Sequence, residues 1–81
     1  MIQFTIGTDT YYAEEGMTWG EWVESEYNTI NAYIESSYVY YNANGWAYFI
    51  TIEDGAGSTS VADSDLIRGQ SYYVYSDGPA I

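Results

Sequence analysis

Few kinds of side chain in this sequence can do chemistry, and carboxylates and phenols dominate them. The chain has 12 Asp or Glu and 11 Tyr, but no His, no Cys and one cationic side chain, Arg68. Proton transfer and covalent catalysis commonly use His, Cys or Lys, and a Ser, Thr or Tyr hydroxyl needs one of them as activator. Glu14-Glu15 and Glu24 with Glu26 are the carboxylate pairs that glycoside hydrolysis would draw on. A chain of 81 residues has little room for a water-excluding cleft around them. The sequence points away from an enzyme, and no catalytic residue or cofactor is expected.

Three further groups deserve weighing. Asp63 and Asp65, with Glu53-Asp54-Gly55, have something of the oxygen-ligand spacing of a Ca²⁺ loop, but the closing bidentate Glu is missing. Turn and capping roles account for them better, and no metal site is assigned. Trp19, Trp22 and Tyr27 could form a ligand cage, yet their helical spacing assigns them to a core stripe. Tyr38, Tyr40, Phe49, Tyr73 and Tyr75 fall on strand positions that leave them exposed, and they are the candidate protein-binding residues. Tyrosine tolerates exposure on strands, so some of these rings need no partner. Several on one sheet face are also what interfaces use as anchors, and carbohydrate stacking is a competing use.

A net charge of −11 argues against direct nucleic-acid binding, which needs clustered Lys or Arg to neutralise phosphates. The carboxylates either solvate a Tyr-rich surface or imitate a phosphate backbone. Imitation requires them along one face, whereas Asp9, Glu21, Glu24, Glu35 and Glu53 fall on different expected elements. No apolar run approaches membrane-span length. Met1 leads straight into the alternating Ile2, Phe4 and Ile6 with no basic n-region, so no secretion signal is expected and synthesis in a cytoplasm is the default. The length fits one domain over residues 1–81, stabilised by packing because no Cys can staple it.

The elements that position these residues follow from periodicity and turn chemistry. Ile2, Phe4 and Ile6 alternate as a half-buried strand, Gly7 to Thr10 supplies a turn, and Tyr11 to Glu14 forms a second strand. Thr18 and Glu21 make a capping box, with Met17 and Trp22 at the hydrophobic-staple positions, for a helix over about 18 to 28. Gly20, between two Trp residues, suggests a close approach by another backbone. Residues 29 to 37 fit a helical turn or a strand, with Ser36-Ser37 as a break. Asn44-Gly45 is the preferred type I′ hairpin turn between strands at about 38 to 43 and 46 to 52. Its register pairs Ala43 with Trp46, Tyr41 with Tyr48 and Val39 with Ile50 on one face. Asn42 with Ala47, Tyr40 with Phe49 and Tyr38 with Thr51 occupy the other. Glu53 to Ser60 reads as a loop, Val61 as a short bridge and Asp63 to Gly69 as a capped turn. A last strand covers Ser71 to Tyr75, and Asp77 to Ile81 forms a patternless tail.

This α+β order, hairpin, helix, second hairpin and final strand, with Leu66-Ile67-Arg68-Gly69 before the last strand, resembles the β-grasp architecture. The fold serves binding, sulfur carriage and scaffolding alike. The sulfur carriers end in Gly-Gly, and Gly78-Pro79-Ala80-Ile81 departs from that pattern. Residues 4 to 28, FTIGTDTYYAEEGMTWGEWVESEYN, resemble a short module of uncharacterised structural proteins of tailed bacteriophages. That resemblance implies a virion component, a head decoration or tail protein, and transfers no ligand residues. The expected function is structural: the chain docks on a capsid or tail protein, or on itself as a homo-oligomer, through its aromatic sheet face. The alternative is an acidic inhibitor that blocks a host nucleic-acid-binding defence protein.

Overall fold

A computed structural model describes residues 1–54 and 57–79, with the side chains of residues 26–30 and 54 outside that description. The element order is β1 (Ile2–Ile6), β2 (Asp9–Ala13), α1 (Trp19–Ile30), β3 (Ala32–Glu35), β4 (Tyr38–Ala43), β5 (Trp46–Asp54), β6 (Gly57–Ser60) and β7 (Ser71–Pro79). The strands form one mixed sheet in the order β2-β1-β7-β5-β4-β3, with β6 paired to β5 beyond the end of β4. β1 and β7 run parallel, and the other pairs are antiparallel. The fold is therefore α+β, with one helix among the described residues.

The helix starts where its capping residues place it. The Thr18 N–H donates to Glu21 Oε1 at 3.0 Å, and the Glu21 N–H donates to Thr18 Oγ1 at 3.3 Å. The Thr18 backbone N–H, and after it the Thr18 hydroxyl, which donates to the same Oε1 at 3.0 Å, hold the Glu21 carboxyl below its ordinary pKa. The next orphan donors are satisfied from far along the chain. The Trp19 N–H donates to Asp65 O at 3.0 Å and the Gly20 N–H to Asp63 O at 2.8 Å. At the other end Asn31 has φ 54°, the left-handed position that commonly follows a helix.

Trp19, Trp22 and Val23 face inward while Glu21 and Glu24 are exposed; Glu26 and Tyr27 lie outside the described side chains. Phe4 of β1 sits among Trp19, Trp22 and Tyr72, with ring centroids 5.6 to 5.8 Å apart and edge-on geometry. Val39, Ile50, Val61 and Ile67 complete this core, and Met17, Tyr11 and Tyr41 pack against it. The helix thus covers one face of the sheet, from β1 and β7 across to β3 and β4.

Several sequence expectations are corrected. β2 begins at Asp9, opposite Ile6, so Gly7-Thr8 alone forms the turn. The expected loop at 53 to 60 is a hairpin, because β5 continues to Asp54 and pairs with Gly57–Ser60; Gly55 and Ala56 lie outside the described residues. The expected tail carries strand as far as Pro79, paired to Trp46 past an irregularity at Ala47/Tyr48, and residues 80 and 81 lie outside the description. The Asn-Gly hairpin has the expected register from Ala43↔Trp46 to Tyr40↔Phe49. Beyond it the Val39–Ile50 and Tyr38–Thr51 pairs do not form, because Val61 enters between the strands. The Val39 N–H donates to Val61 O at 3.1 Å, the Val61 N–H to Ile50 O at 2.9 Å, and Tyr38 bridges to Ala62. An apolar side chain thereby fills the core between two diverging strands.

The ambiguous stretch resolves into the end of α1 and the strand β3, joined to β4 by Ser36-Ser37. Both serines have positive φ, 52° and 69°, as do Asn44 and Gly45 in the neighbouring hairpin, at 53° and 83°. A two-residue turn of this kind favours Asn-Gly, and a side chain in the left-handed region costs about 1 kcal/mol. Ser36→Asn with Ser37→Gly should stabilise the chain by about 1 kcal/mol and raise Tm by about 4–8 °C in thermal unfolding. An unchanged or lower Tm would show that the turn is not strained in this way.

Gly20 meets the close approach expected of it, since a Cβ there would lie 3.2 Å from Asp63 O. That carbonyl has little freedom to retreat: the Asp63 N–H donates to Ser37 O at 2.8 Å, and the Ala62 N–H donates to the Asp65 carboxylate at 2.9 Å. Gly20→Ala should therefore cost about 1 kcal/mol net in chemical denaturation, overpacking outweighing the roughly 1 kcal/mol gain in helix propensity. A stabilised variant would contradict this coupling of helix and loop.

Candidate functional site

Alternation along the strands sends Tyr33 (β3), Tyr40 (β4), Phe49 (β5) and Tyr75 (β7) to the face that α1 does not cover. The pairs Tyr33↔Tyr40, Tyr40↔Phe49 and Phe49↔Tyr75 lie directly opposite in the register. Their rings form a continuous ladder across four strands. Tyr33 and Tyr40 stack at 5.6 Å, Tyr40 meets Phe49 edge-on at 6.3 Å, and Phe49 stacks on Tyr75 at 5.9 Å. Each ring shields its neighbours, so Tyr40 and Phe49 are half-buried although no helix lies over them.

Of the expected binding residues, Tyr40, Phe49 and Tyr75 belong to this ladder. Tyr38 and Tyr73 lie one row away on the same face, both 43% exposed; Tyr73 pairs with fully buried Thr51, whose other neighbour is Ser60, and Tyr38 bridges to Ala62. Thr51 Oγ1 donates to Tyr73 O at 3.4 Å, which satisfies its hydroxyl. Tyr33 was missed, because the segment holding it had no single periodicity; its one sequence signal was a Tyr two residues before Glu35 and a serine turn.

Carboxylates bracket the ladder. At the β7 end the Tyr75 hydroxyl donates to Glu53 Oε1 at 2.5 Å. Beside the ladder, from β3 across to β7, Tyr33, Ile34, Glu35, Asn42, Ala47, Asp77 and Pro79 line an open groove of about 580 Å³. The pKa of Tyr33 is raised above its ordinary value, first by burial, then by Glu35, Tyr40 and Asp77. That of Tyr40 is raised by burial, then by Asp77, Glu35 and Tyr38. Both carboxylates therefore act on the same pair of rings. Asn42, on the groove wall, has its side-chain oxygen buried with no hydrogen-bond partner. The groove thus offers hydrogen-bond acceptors, negative charge and ring faces.

The remaining candidates have structural roles. The Asp65 carboxylate accepts the Ala62 N–H, and the main-chain oxygens of Asp63 and Asp65 cap α1. Among the described residues no three acidic side chains converge as a metal site would require. Trp19 and Trp22 are core, and the Trp22 indole donates to Tyr12 O at 3.1 Å. The Trp19 indole N–H is buried without a partner in hydrogen-bonding geometry, although it sits close enough to the Tyr72 hydroxyl to oppose the rise that burial imposes on that phenol. Arg68 borders a depression beside Trp19, Ile52, Val61 and Tyr72, residues of the helix-bearing side, away from the ladder. No helix among the described residues is long and apolar enough to cross a membrane.

Scans against protein-family models, curated proteins and solved structures find nothing that matches this chain.

The raised phenols give a pH test. A folded-state pKa above the unfolded one contributes stability that is present below the ordinary value near 10 and is lost as pH climbs through the raised one. Ultraviolet titration should show a subset of tyrosines ionising late. Glu35→Gln with Asp77→Asn should move Tyr33 and Tyr40 down without restoring them fully, because burial is the larger cause. An unchanged titration curve would place the carboxylates away from the rings.

Proposed function

We propose that the chain is a non-enzymatic structural or assembly protein, a virion component of the head-decoration or tail type, that docks on a larger shell protein or on itself through the outer aromatic face. The observation that carries this reading is the four-ring ladder on a sheet face that the helix leaves uncovered. Tyrosine and phenylalanine anchors bring large contact area at low rotamer cost, and contiguous exposed apolar surface on a small soluble chain marks interaction sites. The likeness of residues 4 to 28 to a module of tailed-phage structural proteins supports the virion setting. The proposed β-grasp relationship rests on the N-terminal hairpin, the helix after it, and the parallel pairing of β1 with the last strand.

The competing reading, an acidic nucleic-acid mimic, needs carboxylates in one row at phosphate-like spacing. Here Asp9 is on β2, Glu21 and Glu24 are on α1, and Glu35 and Glu53 bracket the ladder on the outer face. That scatter favours assembly over mimicry.

Hydrodynamic mass, measured alone and with virion proteins at low and high salt, tests the reading. The native chain should form a complex that persists at high salt, because ring burial is not screened. Tyr40→Thr with Phe49→Thr, which keeps strand-forming residues, should weaken it by at least about 100-fold, as loss of two anchors implies. A chain monomeric and partnerless at both salts overturns the proposal. A complex dissolved by salt overturns it in favour of the charge-borne inhibitor.

A further inference from the structure

The chemistry of the outer face narrows the partner, given the docking role proposed above. A second copy fits poorly. It would bring another net charge of −11 and one Arg, and would set a second group of Glu35, Glu53 and Asp77 carboxylates against the first. A neutral apolar partner would cover the rings but leave the groove carboxylates without a donor. A donor-rich cation answers all of these at once. Lys and Arg donate and do not accept, they pair with carboxylates, and they pack over aromatic faces.

We infer that the outer face binds an extended basic segment of a partner protein, with one Lys or Arg side chain seated in the groove between Tyr33, Asn42 and Asp77. An extended segment can span the ladder. Four strands about 4.8 Å apart set its rings across about 14 Å, and same-side residues of a strand-like peptide recur about every 6.6–6.8 Å, so three of them cover the row. A peptide crossing the strands would lay its side chains along the rings. Basic residues near its two ends would reach Glu35 at the β3 end and Glu53 at the Tyr75 end, and one between them would reach Asp77 in the groove. The ring contacts supply salt-resistant area, and the bracketing carboxylates choose the sequence and speed association.

The probes are three octapeptides, (Lys-Thr)4, (Glu-Thr)4 and (Ser-Thr)4, titrated into the intact chain and followed by calorimetry. (Lys-Thr)4 should bind measurably and (Glu-Thr)4 should not, with (Ser-Thr)4 at least about 10-fold weaker than (Lys-Thr)4. Net charge alone could attract a basic peptide anywhere, so two variants of equal charge separate the causes. Glu35→Gln with Asp77→Asn should weaken (Lys-Thr)4 by about 10-fold, whereas Glu14→Gln with Glu15→Gln, in the exposed segment before α1, should change it by less than about 2-fold. Equal losses in the two variants, or no binding of (Lys-Thr)4 at low salt, overturn the inference. A virion-protein complex abolished by Tyr40→Thr with Phe49→Thr but indifferent to Glu35→Gln with Asp77→Asn would overturn the basic partner alone. A complex indifferent to both pairs would overturn the docking face as well.

Discussion

A single helix shields a single face of a sheet, and the rest of this structure follows from that limit. α1 has 12 residues, about 18 Å of length at 1.5 Å per residue. It lies from β1 and β7 across to β3 and β4, and its two tryptophans close over Phe4 and Tyr72. Burying Phe4 alone is worth about 2–3 kcal/mol, a large part of the stability of a chain without disulfides. That packing fixes which way every strand faces. With the inward positions taken by Phe4, Val39, Ile50 and Tyr72, alternation leaves Tyr33, Tyr40, Phe49 and Tyr75 facing outward. They pack against one another, and the ladder is the result.

The same core explains the loop at 61 to 68. Where β4 and β5 diverge, Val61 fills the gap in the core, and the chain leaving it passes the start of α1. The Asp63 and Asp65 main-chain oxygens then take up helix donors that would otherwise be orphaned, while the Ile67 N–H donates to Met17 O at 2.9 Å. Gly20 is the contact point; of the acidic residues that suggested a cation loop, Asp63 and Asp65 cap the helix and close the turn, while Glu53 and Asp54 lie in β5. These bonds join helix, loop and sheet split behind the outer face.

What could be read from the sequence was local. The capping box of Thr18 and Glu21, the Asn44-Gly45 hairpin with its four central pairs, the division of that hairpin into an inner and an outer face, and the close approach at Gly20 all depend on residues within a few positions of one another. What could not be read depended on partners far along the chain. β3 was obscured because Ile30, Tyr33 and Ile34 fit either period and because its turn uses Ser36-Ser37 in place of Asn-Gly. The Gly- and Ser-rich β6 has a single strand-favouring residue, Thr59, and pairs because β5 continues beside it. β7 extends through Gly78 and Pro79, which carry no strand signal and are held by Trp46 and Ala47. The groove joins β3, β4, β5 and β7, so Tyr33, Asn42 and Asp77 could meet only in three dimensions.

The central claim is that the outer ladder is the surface a neighbour covers. Hydroxyl-radical labelling of tyrosines, read residue by residue on the chain alone and in its assembled complex, tests this most directly. Tyr33, Tyr40, Tyr73 and Tyr75 should lose label on assembly, while Tyr12, 55% exposed on the outermost strand β2, should keep it. Unchanged labelling of the ladder, with protection at Tyr12 instead, would contradict the account.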